Sequence, residues 1–236
     1  MIGTLYVVAT PIGNLKDMSF RAVEVLKSVD FIACEDTRHS KILLDHYAVQ
    51  KPLLSFFDAS EKRKTPMIIS RLQNGENAAL ISDAGTPGIA DPGYRLINEA
   101  IQRGIHIEFI PGPSALIAAL VLSGLPTDRF VFEGFFPIKS GQKKTKLESL
   151  KDEERTVIFY ESPHRILKTL LVMQEVLGDV PVVIAREITK KFEEVVRARV
   201  SEVIAHFSGK RVLGEFVVLF NLKSLKTEDR KQKTVQ

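Results

Sequence analysis

Asp83 closes the apolar run Ala78-Ala79-Leu80-Ile81-Ser82 and opens the loop Ala84-Gly85-Thr86-Pro87-Gly88-Ile89-Ala90-Asp91-Pro92-Gly93. Glycine lacks a Cβ and tolerates positive φ, so backbone N–H groups in such a loop approach a bound molecule closely. A carboxylate at its mouth accepts from the ligand's amino or hydroxyl groups. The competing account of Asp83 is local, with its side chain capping the Gly85–Gly88 turn. Two more loops share this composition. Ala9-Thr10-Pro11-Ile12-Gly13-Asn14-Leu15-Lys16-Asp17 follows Thr4–Val8, and Pro111-Gly112-Pro113-Ser114-Ala115 follows His106–Ile110. Three strand-to-loop junctions within 115 residues imply one shared ligand.

Parallel strands must bring those loops to one rim. Apolar β-branched runs at 5–9, 31–34, 53–55, 78–82 and 105–110 alternate with segments of helical period at 20–28, 40–46, 61–74 and 92–103. Gly75 and Gly104 end two of these helices. The alternation predicts a mostly parallel sheet with helices on both faces, a first α/β domain over residues 1–115. A helix over 114–122 follows. Strands at 130–134, 156–160, 182–186, 194–200 and 215–221, with helices at 163–177 and 201–207, predict a second α/β domain over 116–222. Glu194–Val200 alternates polar and apolar, as an antiparallel strand with one wet face does. Residues 223–236 read as a basic, disordered tail.

The chain has 236 residues, 44% apolar and 26% charged, an ordinary globular composition. Its net charge of +4 is concentrated in the tail, which carries five basic against two acidic residues and leaves the body near +1. Charge alone therefore marks no nucleic-acid face on the body. No stretch is apolar enough to span a bilayer, and the N-terminus reads as a strand rather than a signal peptide. The single cysteine, Cys34, reads as a small buried residue, and a cytoplasmic setting is expected.

Several chemistries lack their motifs. G-x-G-x-x-G after the first strand, G-x-x-x-x-G-K-[ST], H-E-x-x-H and G-x-S-x-G are all absent. The five histidines are scattered without metal-ligand spacing, so no metal is expected. The segment Lys139–Arg155 is lysine-rich and follows Phe135 and Phe136. It has two accounts. Lys143, Lys144 and Lys146 hold RNA phosphates while the aromatics stack a base, or the segment is a solvated loop leading into an amphipathic helix.

Thr10-Pro11-Ile12-Gly13-Asn14-Leu15, Cys34-Glu35-Asp36-Thr37-Arg38, Ser82-Asp83-Ala84-Gly85-Thr86-Pro87-Gly88 and Pro111-Gly112-Pro113-Ser114-Ala115 occur in that order. Together they resemble the tetrapyrrole methylase superfamily. Glu133-Gly134-Phe135-Phe136-Pro137, Tyr160-Glu161-Ser162-Pro163-His164-Arg165 and Ala185-Arg186-Glu187-Ile188-Thr189-Lys190 extend the resemblance over about residues 2–222. The tetrapyrrole branch has Gly-x-Gly-x-Gly-Asp where Thr10–Asn14 stands here, so the sequence is most similar to the branch acting on ribosomal RNA.

The resemblance implies two α/β domains of the tetrapyrrole methylase type, with S-adenosylmethionine in the cleft between them, and a homodimer. It implies 2′-O-methylation of a cytidine ribose in the decoding region of 16S rRNA, and an assembled 30S particle is the expected acceptor. Pro11, Asp83, Ala84, Gly85, Ile89, Ser114 and Ala115 match the cofactor loops, and Tyr160, Glu161, Ala185 and Gly214 are expected to close the pocket. Glu35, Asp36, Glu61 and Glu187 are the carboxylates that could accept the proton; the expected ones are Asp36 and Glu187, with Arg38 and Arg186 orienting phosphate or ribose. Each also has a structural account. Asp36 sits where a helix N-cap would be, as do Ser60 and Glu61, and Glu187 has Lys190 three residues on for a surface ion pair. Two rivals predict different behaviour: a methyltransferase acting on a tetrapyrrole precursor, and an RNA-binding module without turnover.

Overall fold

The computed structural model describes residues 1–209 and 213–223. The tail expected to be disordered lies, apart from Lys223, outside the described residues. The chain divides into two compact units, Met1–Ser114 and Ala115–Gln236, each with its own five-stranded sheet.

The first unit runs β1 (Thr4–Val8), α1 (Phe20–Ser28), β2 (Phe31–Cys34), α2 (Thr37–His46), β3 (Leu53–Ser55), α3 (Asp58–Gln73), β4 (Ala78–Ile81), α4 (Tyr94–Gln102) and β5 (His106–Ile110). Its strands are all parallel, in the order β3-β2-β4-β1-β5. Successive strand residues point to opposite faces. Phe31, Ala33, Ala78 and Leu80 pack with Ile68, Leu72 and Leu96 from α3 and α4. Ile32, Cys34, Ala79 and Ile81 pack with Ala22, Leu26 and Leu44 from α1 and α2. Burial on both faces is why these strands are uninterrupted apolar runs. With every strand pointing the same way, all five strand-to-helix loops emerge along one rim. Those after β4, β1 and β5 are immediate neighbours.

The second unit runs α5 (Ala115–Ser123), β6 (Phe130–Phe135), α6 (Ser140–Ser149), β7 (Thr156–Glu161), α7 (Ile166–Leu177), β8 (Pro181–Arg186), β9 (Glu194–Arg199), α8 (Val200–Phe207) and β10 (Phe216–Phe220). Its sheet order is β6-β7-β10-β8-β9; β6 and β7 are parallel and the other pairings antiparallel. The core joins Val157, Phe159, Val218 and Phe220 of the sheet to Leu147, Leu170, Met173, Val203 and Phe207 of the helices. As its alternation predicts, β9 is an antiparallel edge strand with no fully buried residue.

Candidate functional site

The rim of the first unit is held by backbone. Thr10 and Gly85 exchange hydrogen bonds in both directions, at 2.8 and 3.1 Å. The Thr10 hydroxyl is buried and donates to Ser82 O at 3.1 Å. Thr86 Oγ1 donates to Pro113 O at 3.3 Å, so the loops after β1, β4 and β5 form one connected floor. Gly85 adopts φ +84°, and a Cβ there would lie 3.4 Å from the Ile12 side chain. Pro11, Asp83, Ala84, Gly85, Ile89 and Ser114 are brought together on this floor. Ala84 and Ile89 are exposed, Asp83 and Ser114 half-buried and Pro11 buried.

Asp83 reaches sideways as well. Its Oδ1 accepts the Asp36 N–H at 3.2 Å, tying the β4 loop to the end of β2. No described residue hydrogen-bonds to its Oδ2, and that oxygen suits an amino or hydroxyl donor of a bound molecule. The turn-capping alternative therefore does not describe its recorded bond.

Asp36 is the N-cap of α2. Its Oδ1 accepts the Arg38 N–H at 2.8 Å, and its Oδ2 accepts from Arg38 Nη2 at 2.8 Å. The bonds from Arg38 hold the Asp36 carboxyl well below the usual carboxylate range. A carboxylate so stabilised is a weak proton acceptor, and Arg38 is correspondingly occupied. In this structure the pair caps α2, the local account that the sequence also offered for Asp36. Glu35, one residue earlier, has the opposite environment. Burial first, then the nearby Asp83, Asp58 and Asp36 charges, push its carboxyl up. No described residue offers it a hydrogen bond or ion pair.

Ser60 and Glu61 are structural. Ser60 Oγ accepts the Phe57 N–H at 3.0 Å at the start of α3. Glu61 is buried, and its Oε1 accepts the N–H groups of Gly93 and Arg95, both at 3.0 Å. Cys34 is fully buried, and burial pushes its thiol up, as expected of an inert core cysteine.

In the second unit, the Tyr160 hydroxyl accepts the Leu116 N–H at 3.2 Å, one residue beyond Ala115 at the start of α5. The Tyr160 ring packs edge-on against Phe132 and Phe135. Glu161 does not face a pocket. Its side chain is fully buried: Oε2 accepts from Lys143 at 3.2 Å and Thr169 at 2.5 Å, and Oε1 from the Ser162 N–H at 2.8 Å. Arg165 Nε lies 2.8 Å from Oε1 as an ion contact without hydrogen-bond alignment. The structure therefore gives Glu161 a structural part, organising Lys143, Thr169 and the Ser162 N–H inside the second unit.

The lysine segment follows the helical one of its two accounts. It forms α6, and Lys143 and Leu147, four residues apart, both point inward. Lys143 is 3% exposed, so its ammonium is unavailable to RNA. Lys144 pairs with Glu175 and Lys146 with Glu133. Of the two aromatics, Phe136 is in the core and Phe135 is 56% exposed.

The rim after β8 is conformationally strained. Glu187 and Thr189 have φ of 51° and 67°, left-handed values that cost non-glycine residues roughly 1–3 kcal/mol each. Glu187 Oε1 accepts from Lys190 at 2.8 Å and from the Glu215 N–H at 3.3 Å. Burial works to raise its pKa, but Lys190, the Glu215 N–H and Arg186 outweigh it, and the net shift is downward. Arg186 donates to Glu194 Oε2 at 3.1 Å and to Leu213 O at 3.0 Å. In this structure the charges of Glu187 and Arg186 are engaged in building the loop. Gly214, φ +90°, lies where a Cβ would run into the Glu187 side chain, and Ala185 is fully buried in β8. Both have structural reasons for their small size.

Comparison with known proteins places this geometry. A family model, Tetrapyrrole (Corrin/Porphyrin) Methylases, matches residues 4–204. The chain is 46% identical over 222 residues to a Thermotoga maritima protein named ribosomal RNA small subunit methyltransferase I, covering 94% of this chain and 100% of that one. A Haemophilus influenzae protein of the same name is 52% identical over 196 residues, 83% of this chain and 69% of that one. Among solved structures, uroporphyrin-III-C-methyltransferase from Thermus thermophilus superposes with a TM-score of 0.65 at 18% identity, covering 96% of this chain and 98% of that one; this likeness shows the fold. The chain belongs to the tetrapyrrole methylase family and, within it, to the ribosomal RNA small subunit methyltransferase I group.

Proposed function

We propose that this protein transfers a methyl group from S-adenosylmethionine to the ribose 2′-hydroxyl of a cytidine in the decoding region of small-subunit rRNA. The assembled 30S particle is the acceptor, and the enzyme works as a homodimer in the cytoplasm. The near-full-length match to rRNA methyltransferases carries the reading. The first unit's floor fits the cofactor: Asp83 has an open carboxylate oxygen, and the loops after β1, β4 and β5 are tied together beside it through Thr10–Gly85 and Thr86–Pro113. Pro11, Ala84, Ile89 and Ser114 supply the surrounding surface.

The cofactor supplies an electrophilic methyl on a sulfonium. The protein's part is to position the acceptor and remove its proton. Glu35 is the group on the first unit's rim best suited to the second task. It has no ion pair among the described residues, and its raised pKa makes its carboxylate a stronger base than Asp36 or Glu187. With the cofactor bound, Glu35 would take the proton of the ribose hydroxyl as that oxygen accepted the methyl, the sulfonium leaving as a neutral thioether, and would then pass the proton to solvent.

The test is transfer of labelled methyl from S-adenosylmethionine to small subunits isolated from a strain lacking the gene, followed by digestion to nucleosides. Label in 2′-O-methylcytidine is the expected result. Absence of label, with cofactor binding intact, would overturn the reading in favour of a small-molecule acceptor.

A further inference from the structure

The lysines of α6 are buried or paired, so an RNA surface must be sought elsewhere. The end of the second sheet where β7 and β8 finish offers one. Phe216 pairs with both Glu161 and Arg186, so the loops after β7 and β8 leave the same end of the sheet, one on each side of β10; Phe135 pairs with Tyr160 at that end. From this rim project two exposed aromatic rings, Phe135 at 56% and Phe192 at 66%. Phe192 sits at the tip of the β8–β9 hairpin, and Lys191 Nζ lies 5.6 Å from its ring centroid. No described acidic residue pairs with Lys191.

The tip is built to hold this pair out. The Lys190 N–H donates to Glu187 O at 2.9 Å, the Thr189 N–H to Glu193 Oε2 at 2.6 Å and the Glu193 N–H to Lys190 O at 3.2 Å. Two left-handed non-glycine residues, Glu187 and Thr189, are kept in that conformation by these bonds. The exposed ring and a lysine that pairs with no described acidic residue thus sit together on a hydrogen-bonded turn.

We propose that the tip of the β8–β9 hairpin is an RNA-contact element, with the Phe192 ring stacking an unpaired base and the Lys191 ammonium holding an adjacent phosphate. This inference rests on the rRNA methyltransferase reading. The chemistry matches how proteins take hold of unstacked nucleotides, by aromatic faces for bases and by unpaired cations for the backbone. Phe135, on the same rim, offers a second stacking face.

The test compares the parent enzyme with Phe192→Ala, Phe192→Tyr and Lys191→Ala on small subunits, measuring kcat, KM, cofactor Kd and sedimentation mass. F192A is expected to raise KM for the particle about tenfold or more, the size of one lost base stack, with cofactor Kd and mass unchanged. F192Y, which retains a stacking face, is expected to restore most of it. K191A should lower the slope of log affinity against log salt by about one. Parent turnover with an unchanged KM in F192A would overturn this inference alone. A changed mass would make the tip a contact between copies and overturn it equally. A parent enzyme without turnover on small subunits would overturn both this inference and the function it rests on.

Discussion

Glu61, on α3, receives the backbone N–H groups of both Gly93 and Arg95, at the start of α4, on a single carboxylate oxygen. One helix thus caps another, and the bond closes the far end of the loop that begins at Asp83. An Asp or Ser at the local cap position does this for most helices; here Gly93 occupies that place and has no side chain to offer. Glu61→Ala should destabilise the first unit by about 2 kcal/mol, since a buried and a part-buried donor lose their acceptor. Its thermal midpoint should fall by about 5 °C or more. Cofactor affinity should fall with it, as the loop after β4 loses its anchor. Calorimetry with and without cofactor checks both.

Glu35→Gln should lower kcat by about 10²- to 10⁴-fold with little change in cofactor Kd. The base must be ionised to act, so turnover falls as pH drops through its pKa. Because that pKa is raised, the acidic limb of the rate profile should lie above the ordinary Glu value, and the limb should vanish in E35Q. The same shift has a stability sign. A pKa higher in the folded state than in the unfolded one means the ionised form works against folding. That penalty is absent below the unfolded pKa and complete above the folded one. E35Q should therefore melt slightly higher than the parent at neutral pH. An E35Q protein with full turnover would return the search to other groups.

Lys143→Met should cost about 3 kcal/mol of stability, because it removes one cation from a buried, mutually dependent set. The salt dependence of RNA binding should not change, since the ammonium never reached solvent. A shallower salt slope in a folded K143M protein would restore Lys143 to the RNA surface.

Gly214→Ala places a methyl against the Glu187 side chain and forces a left-handed backbone on alanine. The second unit should lose about 1–3 kcal/mol. A denaturant melt of the variant, read by its midpoint, checks the value. A neutral outcome would mean that Glu187 moves freely, and the loop after β8 would not be held by it.

The strands of the first unit were legible because two-sided burial leaves a plain mark: β2 and β3 were read to the residue, from Phe31–Cys34 and Leu53–Ser55. The helix α3 begins at Asp58, three residues before the periodic stretch at Glu61, because Ser60 caps it through the Phe57 N–H. Periodicity registers packing and is blind to such a bond. The loops were visible through their glycines and prolines, whereas side-chain roles were not. Glu161, Glu187 and Asp36 look alike in sequence as carboxylates near strand ends. What separates them is who bonds to them: Lys143 from eighteen residues away, Lys190 from the next turn, Arg38 from the same cap. Lys143 misled for the same reason, since one turn of helix decides whether a lysine meets water or a buried carboxylate.

The order β3-β2-β4-β1-β5 has a consequence during synthesis. The N-terminal strand is an inner one, and neither neighbour exists until long after it has left the ribosome: Leu5 waits for Ala78 and Ile107. At roughly 5–20 residues per second, β1 stays unpaired for several seconds. During that time an apolar strand with two bare edges is open to wrong partners. The loops that flank it can assemble only when Pro113 has arrived. The first unit therefore acquires its ligand floor late and all at once, and chaperone dependence in the nascent chain should end abruptly as β5 emerges.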